Sequence, residues 1–463
     1  MKMMTRFVTV VVAICGVAGL GAALAQKQAP PEGAPAKAFT VPAHQSYTLP
    51  NGLAVTLVPY GNIPKVAVIL AVNAGSINEG SNHGLANITG ELLKEGTATL
   101  SPQQLADAAA NMGSTLDVNV TDDQTTAGLD VLSEFGPNAV RLLADVVQHP
   151  GLPESELPRL KNDMLRQIAI GASRPRTIAQ MKFRKILYGD HPYAVVLPTD
   201  ADVKAITLDG VKGYFSTNFN PQRSHLYVAG KFDSAAVKSA IAESFGKWPK
   251  GGAAWTANVP TVKPQRVLDV TDRPGAPQST LLVGLPVPPP TSPDTIPLVV
   301  TNALLGGSFN SRITSNIREQ KGYTYSPFSQ VSRHYHDSYW AESADVTTQF
   351  TGASLKEIFA EVDRLKAEPP ASPELKGIQN YLSGVFIIQN SSRDALIGQL
   401  QYVDFQGLGE DYLKTYVAKV NAVTPADVQK MTGQYIKPDE MTIVVVGDKS
   451  KITDQLAPYQ TTK

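Results

Sequence analysis

The sequence predicts an α+β fold built from two similar halves. Segments rich in β-branched and apolar residues, typical of strands, are mixed with longer amphipathic segments typical of helices. A helix, turn and strand pattern in the middle of the chain returns roughly 215 residues later, near the C-terminus. At 463 residues the chain is long enough for two or three hydrophobic cores. We therefore expect two domains of related fold joined by a linker.

The first half begins with strand-like segments. Leu53 to Val58 and Val66 to Val72 predict two paired strands separated by the turn-like residues 60–64. Two further strands are predicted over residues 115–120 and 126–132. Helical periodicity predicts helices over residues 84–97, 102–112, 135–148, 154–170, 177–187, 202–219 and 234–245.

The repeated pattern defines the domain organisation. Residues 211–230 predict a helix, a turn and a strand that ends on glycine, and residues 428–447 repeat that order. Pro438 matches Pro221 and Gly447 matches Gly230. Between the copies, residues 247–264 are rich in Gly, Pro and Lys, which is typical of a linker. We expect a first domain over 44–250, a linker over 251–264 and a second domain over 265–463.

The N-terminus is typical of a secretory signal peptide. A basic start at Lys2 and Arg6 precedes an apolar run and the small residues that end at Ala25, so we expect cleavage there and a periplasmic protein. An uncleaved membrane anchor is the alternative, and a lipoprotein attached through Cys15 is a further one. Residues 26–43, rich in Ala, Pro and Gln, predict a flexible leader.

Composition excludes several classes of site and partner. The chain carries 41 basic and 41 acidic residues, without a long basic run or a basic stripe interleaved with aromatics. We therefore expect no nucleic-acid partner and, after signal cleavage, no membrane partner. Cys15 is the single cysteine, so the mature chain would have no disulfide, no cysteine metal site and no thiol nucleophile.

Residues 84–97 carry the most informative motif, Gly-Leu-Ala-Asn-Ile-Thr-Gly-Glu-Leu-Leu-Lys-Glu-Gly-Thr. The segment resembles the active helix of the pitrilysin group of zinc peptidases, which includes insulin-degrading enzyme and mitochondrial processing peptidase. That helix carries the inverted zinc motif H-x-x-E-H. The residues that match around the motif are Gly84, Ala86, Gly96 and Thr97. Asn87 and Glu91 replace the two histidines, and Gly90 replaces the catalytic glutamate.

The resemblance extends to the third zinc ligand, a glutamate on a later helix. The matching segment runs from Arg159 to Gln167, and Gln167 occupies the position of that glutamate. Catalytic zinc needs about three protein ligands of the histidine or carboxylate type, and of these positions only Glu91 could bind strongly. Gly90 has no side chain that could accept a proton from water. We expect no zinc here and no hydrolysis by this chain alone.

The second half retains a different motif. Residues 304–312 and 316–326 resemble the second-half signature of the same group, in which R-E-x-x-G-x-x-Y is matched by Arg318, Glu319, Gly322 and Tyr325. The resemblance implies that Arg318 and Tyr325 hold substrate backbone near the zinc, and that the Tyr325 hydroxyl has a catalytic role in steadying the oxyanion. Tyr323 is a competing candidate, on the same face as Tyr325 if the segment is extended. The alternative is that Arg318 only caps or salt-bridges a helix end and that Tyr325 only packs in a strand.

Two other patterns are weaker candidates for sites. Gly306, Gly307 and Ser308 could suggest a phosphate loop, but no Gly-Lys-Ser/Thr follows them. His334 and His336 would share one face of an extended segment and could hold a metal ion, but no third ligand lies nearby in the sequence.

The resemblance also implies an architecture and a function. Its two α/β-roll halves each have a mixed, mainly antiparallel sheet with helices on one side, and they face each other like a clamshell. We expect the non-catalytic subunit of a periplasmic zinc metallopeptidase heterodimer that cleaves peptides. The partner, a paralogue with an intact H-x-x-E-H motif, would carry the zinc, and this chain would hold no cofactor. The alternative is an inactive peptide-binding or structural scaffold protein of the same fold.

Overall fold

The structure is a computed structural model that describes residues 39–251, 255–256 and 259–460. The predicted signal peptide, Cys15 and most of the predicted leader lie outside the described residues. So does part of the predicted linker.

The first half is built on a 6-stranded sheet in the order β1-β2-β6-β3-β5-β4. Its strands are β1 (Gln45–Thr48), β2 (Ala54–Pro59), β3 (Lys65–Val72), β4 (Asp117–Val120), β5 (Thr125–Leu132) and β6 (Ser224–Gly230). Its helices are α1 (Leu85–Leu92), α2 (Pro102–Ala110), α3 (Gly136–Gln148), α4 (Leu157–Ser173), α5 (Pro175–Tyr188), α6 (Asp200–Ala205), α7 (Leu208–Asn218) and α8 (Ser234–Phe245). The predicted helices over 102–112 and 234–245 are confirmed to within two residues.

The second half is built on a 5-stranded sheet in the order β7-β11-β8-β10-β9. Its strands are β7 (Val267–Asp272), β8 (Gln278–Val287), β9 (Phe328–Val331), β10 (Ser338–Thr347) and β11 (Thr442–Gly447). Its helices are α9 (Thr295–Asn302), α10 (Thr351–Ala367), α11 (Ser372–Gln389), α12 (Arg393–Gln406), α13 (Asp411–Ala422), α14 (Pro425–Tyr435) and α15 (Lys449–Leu456). None of the helices in the described part of the chain is both long and apolar enough to span a bilayer.

The two sheets have the same topology, which confirms the duplication. In each half a late strand, β6 or β11, enters the middle of the sheet, parallel to one neighbour and antiparallel to the other. Pro221 and Pro438 each open a single helical turn directly before that strand. The order β2-β6-β3-β5-β4 therefore corresponds strand by strand to β7-β11-β8-β10-β9.

Each half lends one helix to the sheet of the other half. Helix α5 of the first half packs against β8 and β11, while α12 of the second half packs against β3 and β6. Phe183 on α5 is fully buried and its ring meets that of Tyr339 edge-on at 5.3 Å. In the reciprocal contact the Tyr227 hydroxyl donates a hydrogen bond of 2.8 Å to Asp404 on α12. The hydrophobic core is consequently continuous between the halves.

An arginine and aspartate pair anchors the start of each exchanged helix. Arg393, the first residue of α12, donates to both carboxylate oxygens of Asp130 on β5 at 3.1 Å. Arg176, the second residue of α5, donates to Asp345 on β10 at 2.9 Å. The two aspartates occupy equivalent positions in the two sheets, since their partners across the ladder, Ala67 and Thr280, are themselves equivalent.

Two predicted helices are wrong in their extent. Helix α1 ends at Leu92, five residues before the predicted end at residue 97. Residues 202–219 form parts of two helices, α6 and α7, rather than one. The backbone is extended at Ile206, and the Thr207 side chain caps the new helix by accepting a hydrogen bond of 3.1 Å from the Gly210 amide. The local capping interaction outweighs the continuous helical pattern.

The exchanged packing predicts that the halves unfold together. Replacing Phe183 by Ala should cost about 3–5 kcal/mol, because it leaves a cavity where α5 meets the second-half sheet. Denaturant unfolding followed by far-UV circular dichroism should show one transition, shifted to lower denaturant as a whole. The control, Met181→Ala on an exposed position of the same helix, should shift it little. Two separate transitions for the wild type would contradict this.

Candidate functional site

Helix α1 is held by apolar burial and by an acidic cap. Leu85, Ile88 and Leu92 are buried against the first-half core, as the predicted amphipathic pattern requires. The Glu79 carboxylate accepts hydrogen bonds from the backbone amides of Gly84 at 3.0 Å and Ala86 at 2.7 Å, at the helix N-terminus. Burial raises the pKa of Glu79 to about 7, although these two bonds oppose the shift. The helix thus keeps its position without a metal ligand.

The four positions that correspond to zinc chemistry lie together. A cavity of about 290 Å³, which we call the Asn87 cavity, is lined by Asn87, Gly90 and Glu91 of α1 and by Gln167 of α4. Residues 118–120 of β4 form another wall. The fold thus brings residues from two separate segments of the chain to one cavity.

The side chains in the Asn87 cavity do not fit a catalytic zinc ion. Asn87 and Gln167 offer neutral amide oxygens, whereas zinc in proteins is held by histidine, cysteine or carboxylate. The one carboxylate among the four, Glu91, lies 2.6 Å from the ammonium group of Lys94. Within the described residues no three His, Cys, Asp or Glu side chains are grouped so as to hold a metal ion.

The position of the catalytic glutamate is also closed sterically. A Cβ atom placed on Gly90 would lie 2.6 Å from Cγ2 of Val120, well inside van der Waals contact. The absent side chain lets α1 approach β4 closely. The replacement of glutamate by glycine is thus coupled to the packing of the neighbouring strand.

This close approach predicts a stability difference between two glycine-to-alanine variants. Gly90→Ala should lose about 1–3 kcal/mol, because the new methyl group overlaps Val120. The matched control, Gly213→Ala on α7, should be neutral or stabilising by about 0.4–1 kcal/mol, since nothing lies within 4 Å of its added Cβ. Thermal unfolding measures both. The double variant Gly90→Ala/Val120→Ala should remove the overlap, and an unchanged melting temperature for Gly90→Ala would refute the packing argument.

Arg318 and Tyr325 lie side by side in a second cavity. The Arg318 guanidinium carbon lies 4.3 Å from the ring centre of Phe309 and 5.0 Å from that of Tyr325. Tyr325 is 80% exposed. Tyr323 has a different environment, because its ring stacks on Phe350 at 4.4 Å. Tyr323 stays the second candidate for the tyrosine role, and it is the less exposed of the two.

This second cavity, which we call the aromatic cavity, has a volume of about 460 Å³. The residues that line it are Arg176, Gly307, Ser308, Phe309, Thr314, Arg318, Tyr325, Ser326, Pro327, Phe328 and Tyr381. It shares no lining residue with the Asn87 cavity. The chain therefore holds the Arg318 and Tyr325 pair apart from its own degenerate zinc positions.

The helical turn that carries Arg318 is fixed from behind. Residues 314–320 form a wide turn with bonds between residues five apart, a geometry frequent at functional sites. The Asn316 amide donates to Glu357 at 2.9 Å and to Glu361 at 2.8 Å, which ties this turn to α10. Arg318 itself has one close carboxylate, that of Glu319 at 3.4 Å from Nε.

The two histidines considered as a metal pair are separated in their contacts. The His334 ring stacks on Tyr193 at 4.3 Å and lies 3.6 Å from Asp122, in a network between the halves. His336 instead stacks on Tyr335. Burial lowers the pKa of His334 to about 4, although the Asp122 carboxylate opposes the shift. The two side chains do not form a common site.

A buried carboxyl group lies beneath the aromatic cavity. Glu342 on β10 is 1% exposed, and its carboxyl group faces the backbone of Phe328 and Gly306. A Cβ on Gly306 would lie 2.5 Å from one of the carboxyl oxygens, so glycine is required there. Burial raises the pKa of Glu342 well above its ordinary value. The Gly306-Gly307 pair thus serves packing rather than phosphate binding.

The burial of Glu342 predicts that the protein loses stability as the pH rises. Because its folded pKa is raised, its contribution is fully present below the unfolded value of 4.5 and is lost as the pH rises toward the folded pKa. Glu342→Gln should flatten the fall of the melting temperature as the pH rises above about 4.5. The control Glu134→Gln, at an exposed position, should follow the wild-type profile. If the melting temperatures of the wild type and Glu342→Gln changed with pH in parallel, burial of Glu342 would not be the cause of the pH dependence.

Several residues that shape the site were not indicated by the sequence. Phe309 lies inside the quoted second-half signature, but its exposure beside Arg318 depends on how the loop folds. Glu79 and Glu342 act through burial, which single-sequence patterns do not report. Val120 is an ordinary strand residue in the sequence, and only the register of β4 places it against Gly90.

The fold and the site together define the class of protein. Two α+β halves of matching sheet topology, with Arg318 beside the exposed Tyr325 in the second half, resemble a two-domain zinc-peptidase fold. The chain belongs to the insulinase peptidase family M16. The family model described as insulinase, peptidase family M16, matches residues 56–198. The model described as the peptidase M16 inactive domain matches residues 205–382.

Curated relatives of similar length span most of the chain. An uncharacterized zinc protease, YmxG, of Bacillus subtilis is 25% identical over 377 residues, covering 77% of this chain and 90% of that protein. A non-peptidase homolog, also called YmxG, of Helicobacter pylori is 22% identical over 386 residues, covering 81% of this chain and 87% of that protein. One of these relatives is therefore named as a protease and the other as a non-peptidase.

Solved structures show the same fold. The peptidase M16 inactive domain from Pseudomonas fluorescens has a TM-score of 0.81 at 24% identity, covering 87% of this chain and 98% of that one. A protease from Helicobacter pylori has a TM-score of 0.82 at 21% identity, covering 88% of this chain and all (100%) of that one. The predicted fold class is confirmed by these similarities.

Proposed function

We propose that this chain is the non-catalytic subunit of a two-chain zinc peptidase. A partner of the same family with an intact H-x-x-E-H motif carries the zinc and cleaves the peptide. This chain supplies Arg318 to bind substrate and Tyr325 to bind it and to stabilise the oxyanion. The predicted signal peptide would direct the complex to the periplasm.

The observation that carries the proposal is the contrast between the two cavities. The Asn87 cavity lacks both a zinc donor set and a proton acceptor at Gly90, whereas the aromatic cavity presents a guanidinium and a phenol toward solvent. A guanidinium can bind a carbonyl or carboxylate oxygen, and a phenol can donate to developing negative charge. Neither function requires a metal ion in the same chain.

Two open sheet edges support a peptide as the substrate. Strands β4 and β9 stand at equivalent ends of the two sheets, and each pairs with one strand only among the described residues. β4 lines the Asn87 cavity, and the first residue of β9, Phe328, lines the aromatic cavity. An unpaired strand edge offers backbone donors and acceptors to an extended peptide. The same edges would also suit an inactive peptide-binding protein, which the name of the Helicobacter pylori relative favours as the second candidate.

Hydrolysis of unstructured peptides by the mature chain, alone and mixed with its intact-motif paralogue, tests the proposal. We expect no turnover by this chain alone and turnover in the mixture. Tyr325→Phe should lower kcat of the mixture by about 10²- to 10³-fold, because it removes an oxyanion donor. Arg318→Ala should lower kcat/KM about tenfold or more, since it removes a charged hydrogen bond to substrate.

The control is Arg141→Ala, which removes a half-exposed arginine paired with Glu243 away from both cavities. It should leave kcat and KM unchanged. Activity of this chain alone that a chelator abolishes would overturn the assignment of the Asn87 cavity. A paralogue that works equally well without this chain would leave the peptide-binding or scaffold function as the better account.

A further inference from the structure

The exposed aromatic side chains of the described residues are confined to one place. Phe309 is 66% exposed, Tyr325 80%, Phe328 50% and Tyr381 48%, and no other Phe, Tyr or Trp in the described part of the chain is classed as exposed. All four line the aromatic cavity. Solvent-exposed aromatic rings on a single surface mark a binding site more often than a packing feature.

The aromatic cavity continues into a neighbouring apolar cavity. This second space, of about 310 Å³, shares Ser308, Phe309 and Tyr381 with the first. Leu304, Pro373 and Ile378 also line it, and Leu304 and Ile378 are buried. Its one acidic residue, Glu374, is bound in a fork by Arg312, with bonds of 2.7 and 2.8 Å. The space behind Phe309 and Tyr381 therefore suits an uncharged, bulky side chain.

The arginines at the mouth of the aromatic cavity favour a negatively charged ligand group beside the bulky, uncharged side chain. Arg176 and Arg318 line the aromatic cavity, and none of its lining residues is acidic. The carboxylates near the two arginines, Asp345 at 2.9 Å and Glu319 at 3.4 Å, stand outside that lining. Planar guanidinium groups bind carboxylates well, so the mouth matches an acidic residue.

A buried hydroxyl group points to a bound ligand. Ser308 lies where the two cavities meet and is 8% exposed, and its hydroxyl oxygen has no hydrogen-bond partner among the described residues. A buried polar group without a partner costs free energy unless something bound supplies one. A peptide backbone that crosses from one cavity to the other would offer an amide or a carbonyl at this point.

We propose that the two joined cavities select peptide segments in which a bulky apolar side chain stands next to an acidic one. The apolar side chain enters the space behind Phe309 and Tyr381, the acidic side chain binds Arg318 and Arg176, and Ser308 bonds the backbone between them. This proposal rests on the proposed function and names its substrate class. It concerns binding to this chain, which is measurable without the partner.

The test compares labelled, unstructured peptides that differ only in one central dipeptide: Phe-Asp, Ala-Asp, Phe-Asn or Ala-Asn. Fluorescence anisotropy with the purified mature chain gives each Kd. We expect Phe-Asp to bind about tenfold or more tightly than Ala-Asp, since a ring is buried, and more tightly than Phe-Asn. Equal affinities for Phe-Asp and Ala-Asp, or no binding of any peptide, would overturn the inference.

Substitutions test whether the preference for Phe-Asp arises in the two joined cavities. Phe309→Ala and Tyr381→Ala should weaken Phe-Asp to the affinity of Ala-Asp and leave Ala-Asp unchanged. Arg318→Ala should remove the preference for Asp over Asn. The matched control, Ile63→Ala, removes an apolar side chain that is 63% exposed in the first half and should change none of the four values. A loss of Phe-Asp binding in Ile63→Ala as large as in Phe309→Ala would contradict the assignment.

Two outcomes separate this inference from the proposed function. Turnover in the mixture that depends on Arg318 and Tyr325, without any preference for Phe-Asp, would refute the inference and leave the split peptidase intact. The Phe-Asp preference without turnover would support the inference and favour the peptide-binding protein instead. A peptide ending in Phe that binds more tightly than internal Phe-Asp, with its amidated form weak, would assign the arginines to a C-terminal carboxylate and overturn the internal segment.

Discussion

The exchange of α5 and α12 between the two sheets is the constraint on which the rest of the structure depends. Each helix covers apolar strand residues of the opposite half, so one face of each sheet is covered by a helix from the other half. The reciprocal pairs Arg176 with Asp345 and Arg393 with Asp130 fix where each helix begins. Arg176 also lines the aromatic cavity, which means that the same helix start that joins the halves contributes to the candidate binding surface.

This architecture explains how the fold keeps its shape although Asn87, Gly90, Glu91 and Gln167 do not form a zinc-type ligand set. The apolar face of α1 holds the helix against the core, and Glu79 satisfies its first amides, so no metal–ligand bond is needed to position it. Once position 90 carries no side chain, Val120 can move into the vacated volume and α1 can pack directly on the strand. Restoring a glutamate there would oppose this packing.

The sequence predicted the two-half organisation because the relevant signals are local and repeated. The Pro221 and Pro438 turns, the glycines that end β6 and β11, and the period of the helices are visible in one chain. The break between α6 and α7 was missed because capping by Thr207 outweighs a continuous apolar pattern. The helix exchange could not be predicted, since α5 and α12 look like ordinary amphipathic helices whichever sheet they cover. The different environments of Tyr323 and Tyr325 likewise depend on tertiary packing, because Tyr323 stacks on Phe350, a residue outside the motif.

The duplicated topology allows the two halves to be compared position by position. In each, a glycine brings a helical segment close to an edge strand: Gly90 to Val120 of β4, and Gly306 to Ser329 of β9. In the first half this contact leaves no room for a side chain at position 90. In the second it supports a loop whose Phe309 remains in solvent, where a ring gains little from the hydrophobic effect. Folding therefore accounts for the first arrangement but not for the second. The exposed rings around Arg318 are better explained by the proposed peptide ligand, which would cover them and remove them from water.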